Sequence, residues 1–314
     1  MNATFPLTLP QVLLSHPCEG FRNLRKGEGV LTYAQTRHTL WAMEAPVWFR
    51  WLGVAGIELR AGDEVLAIDP FFTRPPFWRM GWGRVEPDHA LVAEKIERCH
   101  YVLVTHGHFD HVMDVPDVAR NTGATVLGSA NTCRLLAACG VPERQVREVR
   151  AGERVELGGW RVDVLPAEHI KTPGFSPGPL SPRLRPPLRL RDYRMDICFS
   201  FLVQAGGVRV LDWRSVRVES APRAEVLFVG VEDAQERYEA LLRAVQPRVV
   251  IPIHWDDMFS PLSEPLRPYF TPPRLAWPPL RRVDLARFRR MIEEMAPGVR
   301  VLVPEAFRGV RIGE

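Results

Sequence analysis

Residues 105–111 read Thr-His-Gly-His-Phe-Asp-His. His106, His108, Asp110 and His111 bring four metal-capable side chains into six positions. Three neutral imidazoles and one carboxylate suit a borderline divalent ion such as zinc. The preceding run Tyr101–Thr105 is short, apolar and β-branched, which predicts a buried strand. The segment after it, Val112–Arg120, can start a helix, so the cluster falls on a strand-to-helix loop. Two more histidines share this context. His169 follows a predicted strand in Leu-Pro-Ala-Glu-His, and His254 follows another in Ile-Pro-Ile-His-Trp-Asp-Asp.

The elements that must position these groups can be read from periodicity. Strands are expected at Val47–Leu52, Ile57–Arg60 and Val65–Ile68, separated by glycine turns that suggest an antiparallel sheet. Helix then alternates with strand: helices over Ala90–Cys99, Pro116–Asn121 and Thr132–Cys139, and strands at Tyr101–Thr105 and Thr125–Gly128. Two hairpins turn at Gly158-Gly159 and Gly206-Gly207. Strands at Glu225–Val229, Val249–Ile253 and Val299–Val303 and helices at Gln235–Val245 and Val283–Met295 complete the pattern. This mixture predicts two sheets packed together with helices outside, an α/β sandwich. Residues 1–46 have weak periodicity and are expected to be an N-terminal extension packed on a domain spanning 47–314.

The set His106, His108, Asp110, His111, His169 and His254 resembles the metallo-β-lactamase superfamily, over roughly residues 47–260. Within it, Trp51-Leu-Gly53, Ile68-Asp69-Pro70, Pro166-Ala-Glu-His169 and Ile253-His254-Trp255 resemble the branch of ascorbate-6-phosphate lactonase and N-acyl-phosphatidylethanolamine phospholipase D. The resemblance implies a four-layer αββα sandwich of two mixed sheets. It implies that His106, His108 and His169 hold one metal ion and that Asp110, His111 and His254 hold a second. Zinc is the expected ion and manganese the alternative. Asp69 would be an acceptor that fixes a ligand histidine's ring, or else a turn residue before Pro70.

One step of the family pattern is missing. The superfamily usually bridges its two ions with the aspartate of a Gly-Asp step after a strand. Counting from the hairpin glycine, that aspartate falls on Ser215 and its glycine on Arg214, while Asp212 lies three residues earlier. Side chains alternate faces along a strand, so an odd offset would turn Asp212 away unless a bulge intervenes. Without a bridging carboxylate each ion keeps three protein ligands, and the second site is expected to be the weaker.

The implied chemistry is hydrolysis by a metal-bound hydroxide, with Asp110 orienting the water and accepting its proton. Three loops would form the pocket. Residues 71–86 bring Phe71, Phe72, Phe77, Trp78 and Trp82; residues 172–194 bring Arg183, Arg185, Arg189, Arg191 and Arg194; residues 255–280 bring Trp255, Asp256 and Asp257. Arginine forks bind phosphate or carboxylate, so a small anionic ester, phosphodiester or lactone is expected. The other readings of these loops are a solvated arginine face and an aromatic cap on the core.

At 314 residues the chain can bury a large core, and 46% apolar with 25% charged content is ordinary for a globular protein. Among 41 basic residues only Lys26, Lys95 and Lys171 are lysines, and the net charge is a mild +4. A nucleic-acid binder would show a stronger basic excess. Five cysteines without a CxxC pair argue for a reducing compartment. No secretory pattern opens the chain, and no apolar run approaches the ~18 residues of a membrane span. A cytoplasmic protein acting on a small molecule is expected, and a homo-oligomer is compatible with the sequence. Two alternatives remain open: a nuclease of the same fold, and a metal-binding sensor without turnover, which the irregular Ser215 position favours.

Overall fold

In the computed structural model the described residues are 46–76, 78–79, 83–169, 177–231, 234–270 and 282–313. The expected extension over 1–46 lies outside them but for Pro46, as do Phe77, Trp82 and parts of the second and third loops. The first half of the domain runs β1 (Val47–Gly53), β2 (Gly56–Ala61), β3 (Glu64–Ile68), α1 (His89–Lys95), β4 (Tyr101–Leu103), α2 (Phe109–Val112), α3 (Val115–Thr122), β5 (Thr125–Gly128), α4 (Ala130–Ala138) and β6 (Val146–Glu148). The second half runs β7 (Arg154–Leu157), β8 (Trp160–Ala167), β9 (Cys198–Ala205), β10 (Val208–Trp213), β11 (Val226–Val229), α5 (Gln235–Val245), β12 (Val249–Pro252), α6 (Leu285–Met295), β13 (Arg300–Val301) and β14 (Gly309–Ile312).

These strands form two seven-stranded sheets, in the orders β14-β1-β2-β3-β4-β5-β6 and β13-β12-β11-β10-β9-β8-β7. Each sheet is antiparallel on one side and parallel on the other, with the changes at β3 and β10. β14 closes the first sheet by pairing antiparallel with β1, so the last described strand lies beside the first. Neither β6 nor β14 was anticipated. β6 is three residues long with two exposed side chains, and Gly-Val-Arg-Ile in β14 carries too little alternation to read.

Alternation decides what each face buries. Phe49, Trp51, Ile57, Leu59, Leu66 and Ile68 of the first sheet meet Val162, Val164, Phe199, Phe201 and Phe228 of the second in the central layer. A second apolar layer packs the outer face of the first sheet under α1 to α4, through Val92, Phe109, Val118 and Leu135. A third packs the other outer face under α5 and α6, through Trp213, Tyr238, Leu241, Phe288 and Ile292. The result is the expected four-layer αββα sandwich of mixed sheets. Each large apolar side chain fully buried contributes roughly 1.5–3 kcal/mol, which supports a rigid platform able to hold charged groups at its rim. Among the described residues no helix is long and apolar enough to cross a membrane.

Candidate metal centre

Every expected ligand sits just beyond the C-terminal end of a strand, on one rim of the sandwich. His106 and His108 follow β4, and Asp110 and His111 lie in the single turn α2. His169 follows β8 and His254 follows β12. The rim brings the six into two groups, His106–His108–His169 and Asp110–His111–His254, whose ligand atoms lie within 4.8 Å of one another in each group. The groups adjoin: the His106 and His111 rings are 3.9 Å apart between centroids. His106 Nε2 and His108 Nδ1 face each other at 3.0 Å. Asp110 Oδ2 is 3.4 Å from His111 Nε2 and 3.3 Å from His254 Nε2.

The ring orientations are set from behind. The Asp69 carboxylate accepts the Thr105 N–H at 2.8 Å through Oδ1 and the Thr105 hydroxyl at 2.5 Å through Oδ2. Having given its proton to Asp69, the Thr105 hydroxyl accepts from His106 Nδ1 at 2.9 Å. Asp69 Oδ2 also accepts from His111 Nδ1 at 2.7 Å. Both imidazoles therefore carry a proton on Nδ1 and turn Nε2, the atom an ion would take, to the rim. Asp69 is the buried acceptor, not merely a turn residue, and it adopts a left-handed φ of +45° to serve there. Thr105 directly precedes His106, yet nothing in its sequence context marks this role.

Electrostatics favour a cation. Burial, with His111, His108 and His169 adding to it, holds His106 well below the ordinary imidazole range, so it stays neutral. Burial likewise lowers His108 to about 4. Burial works to raise the Asp110 carboxyl, yet the His111 and His254 imidazoles hold it well below the usual carboxylate range. Burial would lower His111, but Asp110 and Asp69 outweigh it and raise it to about 9. Three imidazoles in one group, and two imidazoles with one carboxylate in the other, form donor sets at a buried rim that suit two borderline divalent ions, His111 giving up its second proton as an ion binds.

The residues at the missing bridging step take other partners. Asp212 shares the inward face of β10 with Val208 and Val210 and is fully buried. Its Oδ2 accepts Arg214 Nε at 3.0 Å, and Arg214 Nη2 reaches Ala55 O at 3.1 Å and lies 3.7 Å from Asp69 Oδ2. Ser215 Oγ accepts the N–H groups of Glu168 and Arg217, each at 3.1 Å. Neither Asp212 nor Ser215 belongs to either ligand group.

The loops also differ from expectation. Phe71 and Phe72 are fully buried against the helices, and the Trp255 ring packs tilted against Trp51 at 4.7 Å, so these aromatics cap the core instead of lining a pocket. Trp78 is 70% exposed beside Arg79. Asp256 is buried in an ion pair with Arg74, and Asp257 caps its own turn through Phe259 N and Ser260 Oγ. The arginine loop is held by its backbone. Asn131 Nδ2 donates to Arg194 O, which lies so close to Gly107 that a Cβ there would collide with it. Arg183, Arg185 and Arg191 stay exposed, while Arg189 and Arg194 are half-buried.

Comparison with known proteins places this rim in context. The beta-lactamase superfamily domain matches residues 65–211. A metal-dependent hydrolase of Symbiobacterium thermophilum is 31% identical over 224 residues, covering 66% of this chain and 83% of that one. A metal-dependent hydrolase of Pyrobaculum arsenaticum is 32% identical over 130 residues, 41% of this chain and 53% of its own. For relatives of the latter kind the chain spans about half of the protein it matches, 53% and 46% in two cases. A metallo hydrolase from Ignicoccus hospitalis shares the fold with a TM-score of 0.56 at 17% identity, covering 85% of this chain and 99% of that one.

Proposed function

Because the chain belongs to the metallo-β-lactamase superfamily, we propose that its rim is a two-ion hydrolytic centre acting on a small anionic ester, phosphodiester or lactone. The observation that carries this reading is the contact between the two ligand groups, with His106 and His111 rings 3.9 Å apart. Two ions bound there would lower the pKa of a water and polarise the scissile carbonyl or phosphoryl oxygen. His106, His108 and His169 would hold one ion and Asp110, His111 and His254 the other, zinc before manganese.

This chain's own groups would do the rest. Asp110, kept ionised by His111 and His254, is an acceptor for a water proton at neutral pH. Asp69 and Thr105 hold the His106 and His111 rings so that little reorganisation is needed during reaction. The arginine segment passes its Arg194 carbonyl beside Gly107, between two candidate ligands, and guanidinium groups carried by the same segment would favour a substrate with a phosphate or carboxylate. That preference agrees with the lactonase and phospholipase branch that the sequence resembles. Residues 1–46 would form an extension on this domain.

A metal-binding sensor without turnover is the second reading. It is favoured by the missing bridging step: Asp212 is engaged by Arg214, Ser215 by the Glu168 and Arg217 N–H groups, and neither belongs to a ligand group. Metal analysis of protein purified without chelator, followed by assays on lactones, phosphodiesters, thioesters and nucleic acid, separates the readings. Two bound ions with turnover of a small anionic substrate is the expected result. Full occupancy with no turnover on any of the four classes would favour the sensor, and cleavage of nucleic acid alone would favour a nuclease.

A further inference from the structure

The segment Asp69–Arg74 leaves β3 and touches His111 together with residues that closely follow His111 and His254 in the chain. Asp69 holds His111 at its near end. In the middle, the N–H groups of Phe72 and Thr73 donate to Asp114 Oδ2 at 2.5 and 2.7 Å, three residues beyond His111. At the far end, Arg74 Nη2 donates to Asp256 Oδ2 at 3.0 Å, and its Nη1 to Asp257 O at 3.3 Å. These acceptors lie two and three residues beyond His254. The Arg74 and Asp256 side chains are 2% and 0% exposed.

From Asp256 the contacts run back to His254 through the backbone. Asp256 Oδ1 accepts the Val54 N–H at 2.8 Å, and the Val54 carbonyl accepts the His254 N–H at 2.7 Å. Both of the joined residues are left-handed, Val54 at φ +44° and His254 at φ +56°. A β-branched valine there is a strong outlier, and such conformations persist only where their surroundings over-determine them. Gly53 clears the way for the pair, because a Cβ at that position would collide with the Arg74 guanidinium.

We infer that Arg74 and Asp256 are positioning residues for His254: acting through Val54, they set where its imidazole stands against Asp110 and His111. Neither belongs to a ligand group. The first group is held by other parts, Thr105 behind His106 and Ser215 beside His169. Affinity for the second ion should therefore depend on this pair while affinity for the first does not. The inference rests on the two-ion reading above.

Zinc titration of the metal-stripped full chain by calorimetry tests it, with a thermal melt of each protein alongside. In Arg74→Met and in Asp256→Asn the first binding step should keep its parent affinity and the second should weaken about tenfold or more, the range seen for partners that orient metal ligands. In a His254→Ala background, Arg74→Met should change the second step no further. Two steps at parent affinity in both variants would overturn the inference. So would parallel weakening of both steps together with lost thermal stability, which marks a merely structural role. If Arg74→Met does not fold, Asp256→Asn carries the comparison, since it keeps the shape and the acceptor for Val54; failure of both to fold would make the pair a folding element and overturn the inference. A parent chain that takes up fewer than two zinc ions refutes the two-ion reading instead.

Discussion

Asp69 Oδ2 accepts the Nδ1–H of His111 at 2.7 Å, and the same oxygen accepts the Thr105 hydroxyl at 2.5 Å. One carboxylate oxygen thus governs a ligand of each group: His111 directly, and His106 through Thr105. An amide cannot accept at both atoms of the carboxylate, so Asp69→Asn must set an N–H against a donor or give up one contact. Affinity for both ions should fall, each by roughly 10–100-fold. Competition with a chromophoric chelator measures this. Parent-like affinity at either step would show that Asp69 does not orient that site.

Ser215 is the corresponding support for His169. Its Oγ accepts from Glu168 N and Arg217 N at 3.1 Å each, and Val216 N donates to Glu168 O at 2.8 Å. Ser215→Ala leaves two backbone donors beside a buried methyl, at a cost of about 1–3 kcal/mol for each that water does not reach. The variant should be less stable to urea, with a weaker first zinc step and a second step near the parent value. Stability and both affinities equal to the parent would mean that the turn holds His169 without the hydroxyl.

The legible and the hidden parts of this site differ in a physical way. The candidate ligands and their strand ends could be read because His106, His108, Asp110 and His111 are local, and because β4, β8 and β12 are short β-branched runs. Asp69 was legible as a polar residue closing an apolar strand. Its pairing with Thr105 was not, because a threonine is ordinary in strand chemistry. Arg74 and Asp256 are 182 residues apart, and nothing local marks either as half of a buried pair. The aromatic loop misled because phenylalanines lining a pocket and phenylalanines closing a core have one composition; only the packing of Phe71 and Phe72 decides it. β14 stayed hidden because its partner β1 lies at the other end of the domain.

Asp212 gives the sandwich a pH-dependent cost. Burial raises its carboxyl from 3.8 to about 6, with Arg214 opposing. The folded chain therefore holds this proton more tightly than the unfolded chain does. The cost of ionising it is absent below about pH 4, grows as pH rises, and is complete above about pH 6, where it amounts to about 3 kcal/mol. Asp212→Asn removes the titration and keeps an acceptor for Arg214 Nε. In metal-free protein, the loss of stability between pH 4 and 7 should be smaller in the variant than in the parent. Urea unfolding at both values measures it. An identical pH dependence would show that Asp212 ionises as freely in the folded chain as in the unfolded one.

Removing metal should loosen the rim and spare the sandwich. The central layer, built on Phe49, Trp51, Phe201 and Phe228, lies between the sheets and includes none of the six candidate ligands. At the rim, His106 Nε2 and His108 Nδ1 stand 3.0 Å apart with the His169 ring beside them, so a bound cation would tie these loops together. An ion that binds only the folded chain adds about 2.7 kcal/mol when present at a hundred times its dissociation constant. For a domain of this size that corresponds to a melting point higher by about 5 °C for each ion. Treatment with a chelator should lower the melting point by that order, with far-ultraviolet circular dichroism unchanged at 25 °C, and added zinc should restore it. A melting point indifferent to both, in protein shown by metal analysis to have gone from loaded to empty, would mean that the two groups do not hold ions tightly enough to serve a hydrolytic centre.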